Sequence, residues 1–126
     1  MVSFAIGALV ALVLATAADA QDQRCRFKLN GGFIRWGLQD QQGWFAVPAG
    51  SPCHVPVHVG GFSTLSSAQI VERPHHGTAV TSNDGMIHFR PNSGFTGNDS
   101  MTVRYGGTGL QGAGQQATII WTIMVF

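Results

Sequence analysis

Charge is scarce in this chain. Of its 126 residues 10% are Asp, Glu, Lys or Arg, 7 basic against 6 acidic, for a net +1. That balance argues against a nucleic-acid binder, which carries a clustered basic surplus. Acidic runs and polar low-complexity tracts are missing too, which argues against wholesale disorder. No window of eleven residues carries a helical apolar stripe. No Gly-x-Ser-x-Gly elbow and no Ser-x-x-Lys pair is present, so nucleophilic catalysis has little support. No segment repeats, and the length leaves room for one domain. Cysteine is reduced to Cys25 and Cys53.

What is present begins with an address. Phe4 to Ala18 contains no charge. It falls short of the ~20 residues of a comfortable bilayer span and suits the apolar region of a secretory signal. Ala18 and Ala20 supply small residues three and one positions before a cut. The expectation is a signal peptide over 1–20 and a secreted or periplasmic domain over 21–126. No Lys or Arg precedes the apolar stretch, so an uncleaved anchor stays open. Asp22-Gln23-Arg24 before Cys25 does not form a lipoprotein cleavage box. The mature chain would bury roughly 65% of its unfolded surface, enough for an independent core.

Outside the reducing cytosol two cysteines read as one disulfide; two buried free thiols are the alternative. Alternation supports the bridge. In 24–29 and in 53–59 the odd positions are apolar, so both cysteines point to the core side of strands.

The period is two nearly everywhere. Strands are expected at 24–29, 33–36, 44–47, 53–59, 66–73, 78–82, 86–90, 100–105 and 117–125. Turn residues separate them at intervals of mostly 8–12 residues, the pattern of a β-sandwich. Ser82-Asn83-Asp84-Gly85 reads as a hairpin turn, with Asn and Asp able to take positive φ. The last strand is apolar on both faces, which suits a central strand packed beneath the rest of the fold. Gly106 to Gln116 holds five glycines and no alternation, so it reads as a flexible loop. Asn30-Gly31-Gly32 and Gln39 to Gly43 read as turns around short strand-like segments bearing Phe33, Trp36, Trp44 and Phe45.

Residues 70–105, IVERPHHGTAVTSNDGMIHFRPNSGFTGNDSMTVRY, carry more than periodicity. Pro74, His76, Gly77 and Thr78 are followed by Gly85, Phe89 and Pro91, then by Gly94, Phe95, Gly97, Asp99 and Ser100. This order and spacing resembles the bacterial Ig-like, cadherin-like domains found in tandem in large surface proteins. Met101 stands where the pattern has an aromatic residue. The resemblance implies an all-β, Ig-like antiparallel sandwich of about seven to nine short strands; the N-terminal signal helix expected from the apolar stretch precedes it. The resemblance also implies scaffold roles for Pro74, His76, Gly77, Gly94, Phe95, Gly97 and Asp99. Phe95 would plug the core from a tight loop. Asp99 would accept backbone N–H bonds and fix the start of the next strand. Such domains are spacers, adhesion modules or binding units, so the resemblance implies a fold more than a task. A single copy fits a spacer poorly.

Other chemistry is thin. Calcium needs six to eight oxygens, and the carboxylates stand singly. His54 and His58 share a strand face but lie roughly 13 Å apart, too far to chelate together. Gly107 to Gly112 matches a dinucleotide fingerprint in letters only, since it leads into a strand. Trp36, Trp44 and Phe45 are the candidate ligand-binding residues, by aromatic faces beside Gln and Arg; the alternative is that they cap the sandwich as core. The reading is an exported, non-catalytic module without cofactor, bound to an unknown protein or glycan of the cell envelope. A periplasmic metal-binding protein using His54, His58, His75 and His88 is the alternative. A subunit completing a larger assembly through its edge strands is the third reading.

Overall fold

The computed structural model describes residues 22–126. The expected signal peptide and its helix, residues 1–20, lie outside that range. The described chain is all β, in two packed sheets. Nine strands form: β1 Gln23–Arg24, β2 Arg26–Leu29, β3 Gln41–Val47, β4 Cys53–Val55, β5 Thr64–Glu72, β6 Gly77–Thr81, β7 Ile87–Pro91, β8 Gly97–Gly109 and β9 Gly112–Val125. One sheet runs in the order β1-β4-β7-β6 and the other β2-β3-β9-β8-β5. The expected Ig-like sandwich is therefore present, with two corrections. The sheets are mixed, because β1 runs parallel to β4 and β3 parallel to β9. And β8 and β9, at 13 and 14 residues, are not short.

Alternation builds the core. In β9 the odd positions Ala117, Ile119, Trp121, Ile123 and Val125 are buried, in one cluster with Phe45, Met101 and Tyr105 of the neighbouring strands and Ile87 and Phe89 of the other sheet. Phe45 meets Phe89 and Trp121 edge to face, with ring centroids 5.5 and 5.9 Å apart, the arrangement ring quadrupoles prefer. The even positions Ile120 and Met124 are half-buried on the outer face of the five-stranded sheet. β9 is central, as its two apolar faces suggest, but no further layer of the described residues covers it.

Cys25 and Cys53 are joined, with Cα atoms 5.0 Å apart and both side chains buried. Cys25 is where the chain leaves one sheet for the other. Its N–H still bonds His54 O at 2.8 Å, and from Arg26 the strand pairs with β3 instead. The bridge thus ties the crossing point to β4.

Two expected loops are strand. Gly106 to Gln116 continues the β8–β9 ladder, with Gly106 opposite Gln116 and Gly107 opposite Gln115. Main-chain hydrogen bonds hold it, and they leave no trace in side-chain alternation. Gly43, expected in a turn, lies in mid-β3 opposite Trp121. A β-carbon there would stand 2.5 Å from the Trp121 ring, so the indole needs a glycine across from it. Conversely, 33–36 forms no strand; Ile34 makes one isolated bridge to Val59. The Ser82–Gly85 turn forms, but the positive φ falls on Gly85 alone.

The loop end of the sandwich and the other candidate residues

Three segments meet at one end of the sandwich: 30–40 between β2 and β3, 56–63 between β4 and β5, and the tip of the β8–β9 hairpin. Gln41, buried at the start of β3, fixes the first. Its Nε2 donates to Asn30 O at 2.9 Å and to Phe33 O at 2.8 Å, and its Oε1 accepts the Arg35 N–H at 3.0 Å. One amide side chain therefore satisfies three backbone groups of the segment, which a buried Gln must do to offset its desolvation. Ile34 N donates to His58 O at 2.8 Å, tying the first segment to the second.

Trp36 ties the first segment to the other two. Its Nε1–H donates to Ser63 Oγ at 3.1 Å. Its ring lies on the hairpin backbone: a β-carbon on Gly107 would sit 2.9 Å from the indole, and one on Gly109 would sit 2.8 Å from Cδ1. Gly107 and Gly109 thus form a flat seat for an aromatic ring, while Gly112 and Gly114 take positive φ in the turn back. Phe33, Trp36, Leu38 and Gly60 line a shallow pocket of about 400 Å³ above this seat. The three segments carry four exposed apolar side chains, of which Phe33 and Leu38 line the pocket. Phe33 and Leu38 are 42% and 41% exposed, and Phe62 and Leu110 are 83% and 85% exposed. Phe62 precedes the Ser63 that holds Trp36, and Leu110 follows the Gly109 on which Trp36 rests. Arg35 sits over the Phe33 ring, 5.5 Å from its centroid.

The expected aromatic trio is not one site. Trp36 is half-buried at the loop end. Trp44 is half-buried on the outer face of the five-stranded sheet, between Lys28 and Thr122 in the cross-strand row. Phe45 is fully buried and cannot meet a ligand; the alternation that exposes Trp44 turns Phe45 inward. Phe62 and Leu110 escaped notice in the sequence, because each is a lone apolar residue in a glycine-rich stretch.

The histidines divide likewise. His54 and His88 are cross-strand partners on the outer face of the four-stranded sheet, ring centroids 6.2 Å apart. Asp22 lies against both, 3.4 Å from His54 Nδ1 and 3.1 Å from His88 Nδ1. His75 is elsewhere, beside Asp99, and the exposed His58 belongs to the loop end. The set His54, His58, His75 and His88 is therefore not brought together. Among the described residues no group of three or more His, Cys, Asp or Glu is arranged to hold a metal ion.

The opposite end carries the Pro74–Asp99 motif. Asp99 is buried at the start of β8. It accepts the N–H of His75 at 3.1 Å, of His76 at 2.6 Å and of Ser100 at 2.8 Å. Burial pushes its carboxyl pKa up, but these three donors outweigh burial and leave it below the ordinary value. His76 stacks on Phe95, with centroids 4.2 Å apart and planes 1° from parallel, and Phe95 packs against the core. Gly94 and Gly97 both take positive φ, which bends the chain around Phe95. In this structure Pro74, His76, Gly77, Gly94, Phe95, Gly97 and Asp99 form a bracket between β6 and β8.

In comparison with known proteins, the model of the bacterial Ig domain family matches residues 46–123, from late β3 into β9. No curated protein and no solved structure matches the chain. Phe62 and Leu110 lie inside the matched stretch; Cys25, Phe33, Trp36, Leu38 and Trp44 precede it.

Proposed function

We infer that this chain, which belongs to the bacterial Ig domain family, is an exported, non-catalytic binding module that engages a component of the cell envelope through its loop end. The observation that carries this reading is that Phe33 and Leu38 line the pocket beside Trp36, while the exposed Phe62 and Leu110 stand next to Ser63 and Gly109, the residues that hold Trp36. Apolar side chains gathered on one end of a soluble fold mark an interaction site, whereas scattered ones do not. The base beneath them is held by Gln41, Ser63 and the hairpin backbone, so the surface is preorganised.

Export is supported by the apolar stretch Phe4 to Ala18 and by the Cys25–Cys53 bridge, since disulfides persist in oxidising compartments. A photoreactive amino acid at position 62, compared with one at the exposed Asn92 of the opposite end, tests the reading. Irradiated cells should give an adduct with an envelope component from position 62 only. Equal labelling from both positions, or none from position 62, would remove the loop end as the binding surface.

A further inference from the structure

We propose that the loop end takes a phospholipid bilayer surface, with Phe33, Leu38, Phe62 and Leu110 entering the interfacial layer and Trp36 at headgroup depth behind them. The proposal rests on the reading of this end as the binding surface and names its occupant.

The shape of the end favours lipid over protein. The four side chains come from three separate segments, and three of them directly follow a glycine, in Gly32-Phe33, Gly61-Phe62 and Gly109-Leu110. Phe62 and Leu110 are more than four-fifths exposed, so they project singly and are not walls of a groove. Phe33 and Leu38 line a shallow pocket, and Leu38 also borders a second one against Gln115 and Gln116, but neither Phe62 nor Leu110 lines either. The core of a protein interface is packed like an interior, and each projecting knob would need its own matching pit. Acyl chains flow around an isolated side chain and need no counter-shape.

Charge points the same way. Across 30–40, 56–63 and 106–116 the formal charges at neutral pH are Arg35 and Asp40 alone. Few charges therefore stand to be desolvated as the tips descend. Arg35, lying over Phe33, places a guanidinium beside an apolar tip, where it meets a lipid phosphate as the ring goes in. Trp36 completes the set. An indole with one apolar side and a hydrogen-bonded N–H suits the boundary between acyl chains and headgroups.

The test is flotation with vesicles of phosphatidylethanolamine containing phosphatidylglycerol. It uses the exported protein, with its N-terminus read by mass spectrometry. The protein should float with the vesicles. In a Trp44→Phe background, lipids brominated in their acyl chains should quench Trp36 emission. Phe62→Ser with Leu110→Ser should lower partitioning about tenfold or more, with an unchanged melting temperature. Absence of flotation, or flotation that the double substitution leaves unaltered, overturns the proposal. If the probe at position 62 then captures a protein, the loop end remains the binding surface and only the lipid falls. If it captures nothing, both fall.

Discussion

The Trp36 indole N–H donates to Ser63 Oγ at 3.1 Å while its ring rests on the backbone of Gly107 and Gly109. This one side chain joins all three segments of the loop end. Gly109→Ala drives a methyl group into Cδ1 of the ring, so the indole must lift from its seat. The substitution should cost about 1–3 kcal/mol and red-shift Trp36 emission. Ser63→Ala, which removes only the hydrogen bond, should cost about 1 kcal/mol and shift the emission less. Chemical denaturation with fluorescence readout measures both.

Gln41→Leu leaves the carbonyls of Asn30 and Phe33 and the N–H of Arg35 without their partly buried hydrogen bonds. A loss of about 2–4 kcal/mol is expected. Amide exchange should rise over residues 30–36 and stay unchanged in β8 and β9. Uniform exchange across the sandwich would show that Gln41 supports the whole core and not that segment.

Most of the sandwich could be read from alternation, because a half-buried strand writes its inward face into the sequence. Cys25 and Cys53 are read correctly by that rule, whereas Phe45, expected beside Trp44 at a ligand site, is buried by it. Backbone-held structure escapes it. The hairpin extension through Gly106, Gly107 and Gly109 has no side chains to alternate; Gly107 and Gly109 reflect the close approach of Trp36, and Gly106 that of Ser67. The parallel β3–β9 pairing joins residues roughly 80 positions apart and leaves no local signal. The loop end was half legible. Trp36 stood out by type, but only the topology brings Phe62 and Leu110 beside it.

Asp99 links pH to stability. Its carboxyl pKa is lowered in the fold, with burial opposing and the backbone donors of His75, His76 and Ser100 prevailing. A lowered native pKa means the unfolded chain binds the proton first as acid is added. The contribution is therefore complete above about pH 4, the unfolded carboxyl value, and disappears as pH falls through the lower native value. Asp99→Ala should cost on the order of 2–4 kcal/mol at neutral pH. It should also flatten the acid limb of a melting-temperature profile taken from pH 6 downward.

Tyr105 and Trp121 make an opposite prediction. Among the described residues the buried Tyr105 hydroxyl and Trp121 indole N–H find no hydrogen-bond partner. Burial pushes the phenol pKa far up; the neighbouring indole pulls the other way, without closing a bond. Tyr105→Phe removes an unpaired polar atom and should change stability by less than about 1 kcal/mol, in either direction. Trp121→Phe opens space in the core and should cost about 2–4 kcal/mol. Thermal denaturation of the two variants separates these outcomes.

Opening the Cys25–Cys53 bridge frees the point where the chain changes sheets. Its sequence separation of 28 corresponds to about 3–4 kcal/mol in the chain-entropy account. Cys25→Ala with Cys53→Ala should therefore lower the unfolding free energy by that amount, read as a lower denaturation midpoint at unchanged m. Amide protection should be lost first in β1 and β2.

The central claim is that the apolar loop end is the surface by which the protein engages the envelope. Its most direct measurement is the distribution of the exported protein between envelope and soluble fractions, for the native chain and for Phe62→Ser with Leu110→Ser. The native chain should sediment with envelopes, and the double variant, equally stable, should move to the soluble fraction. The same distribution for both would contradict the claim.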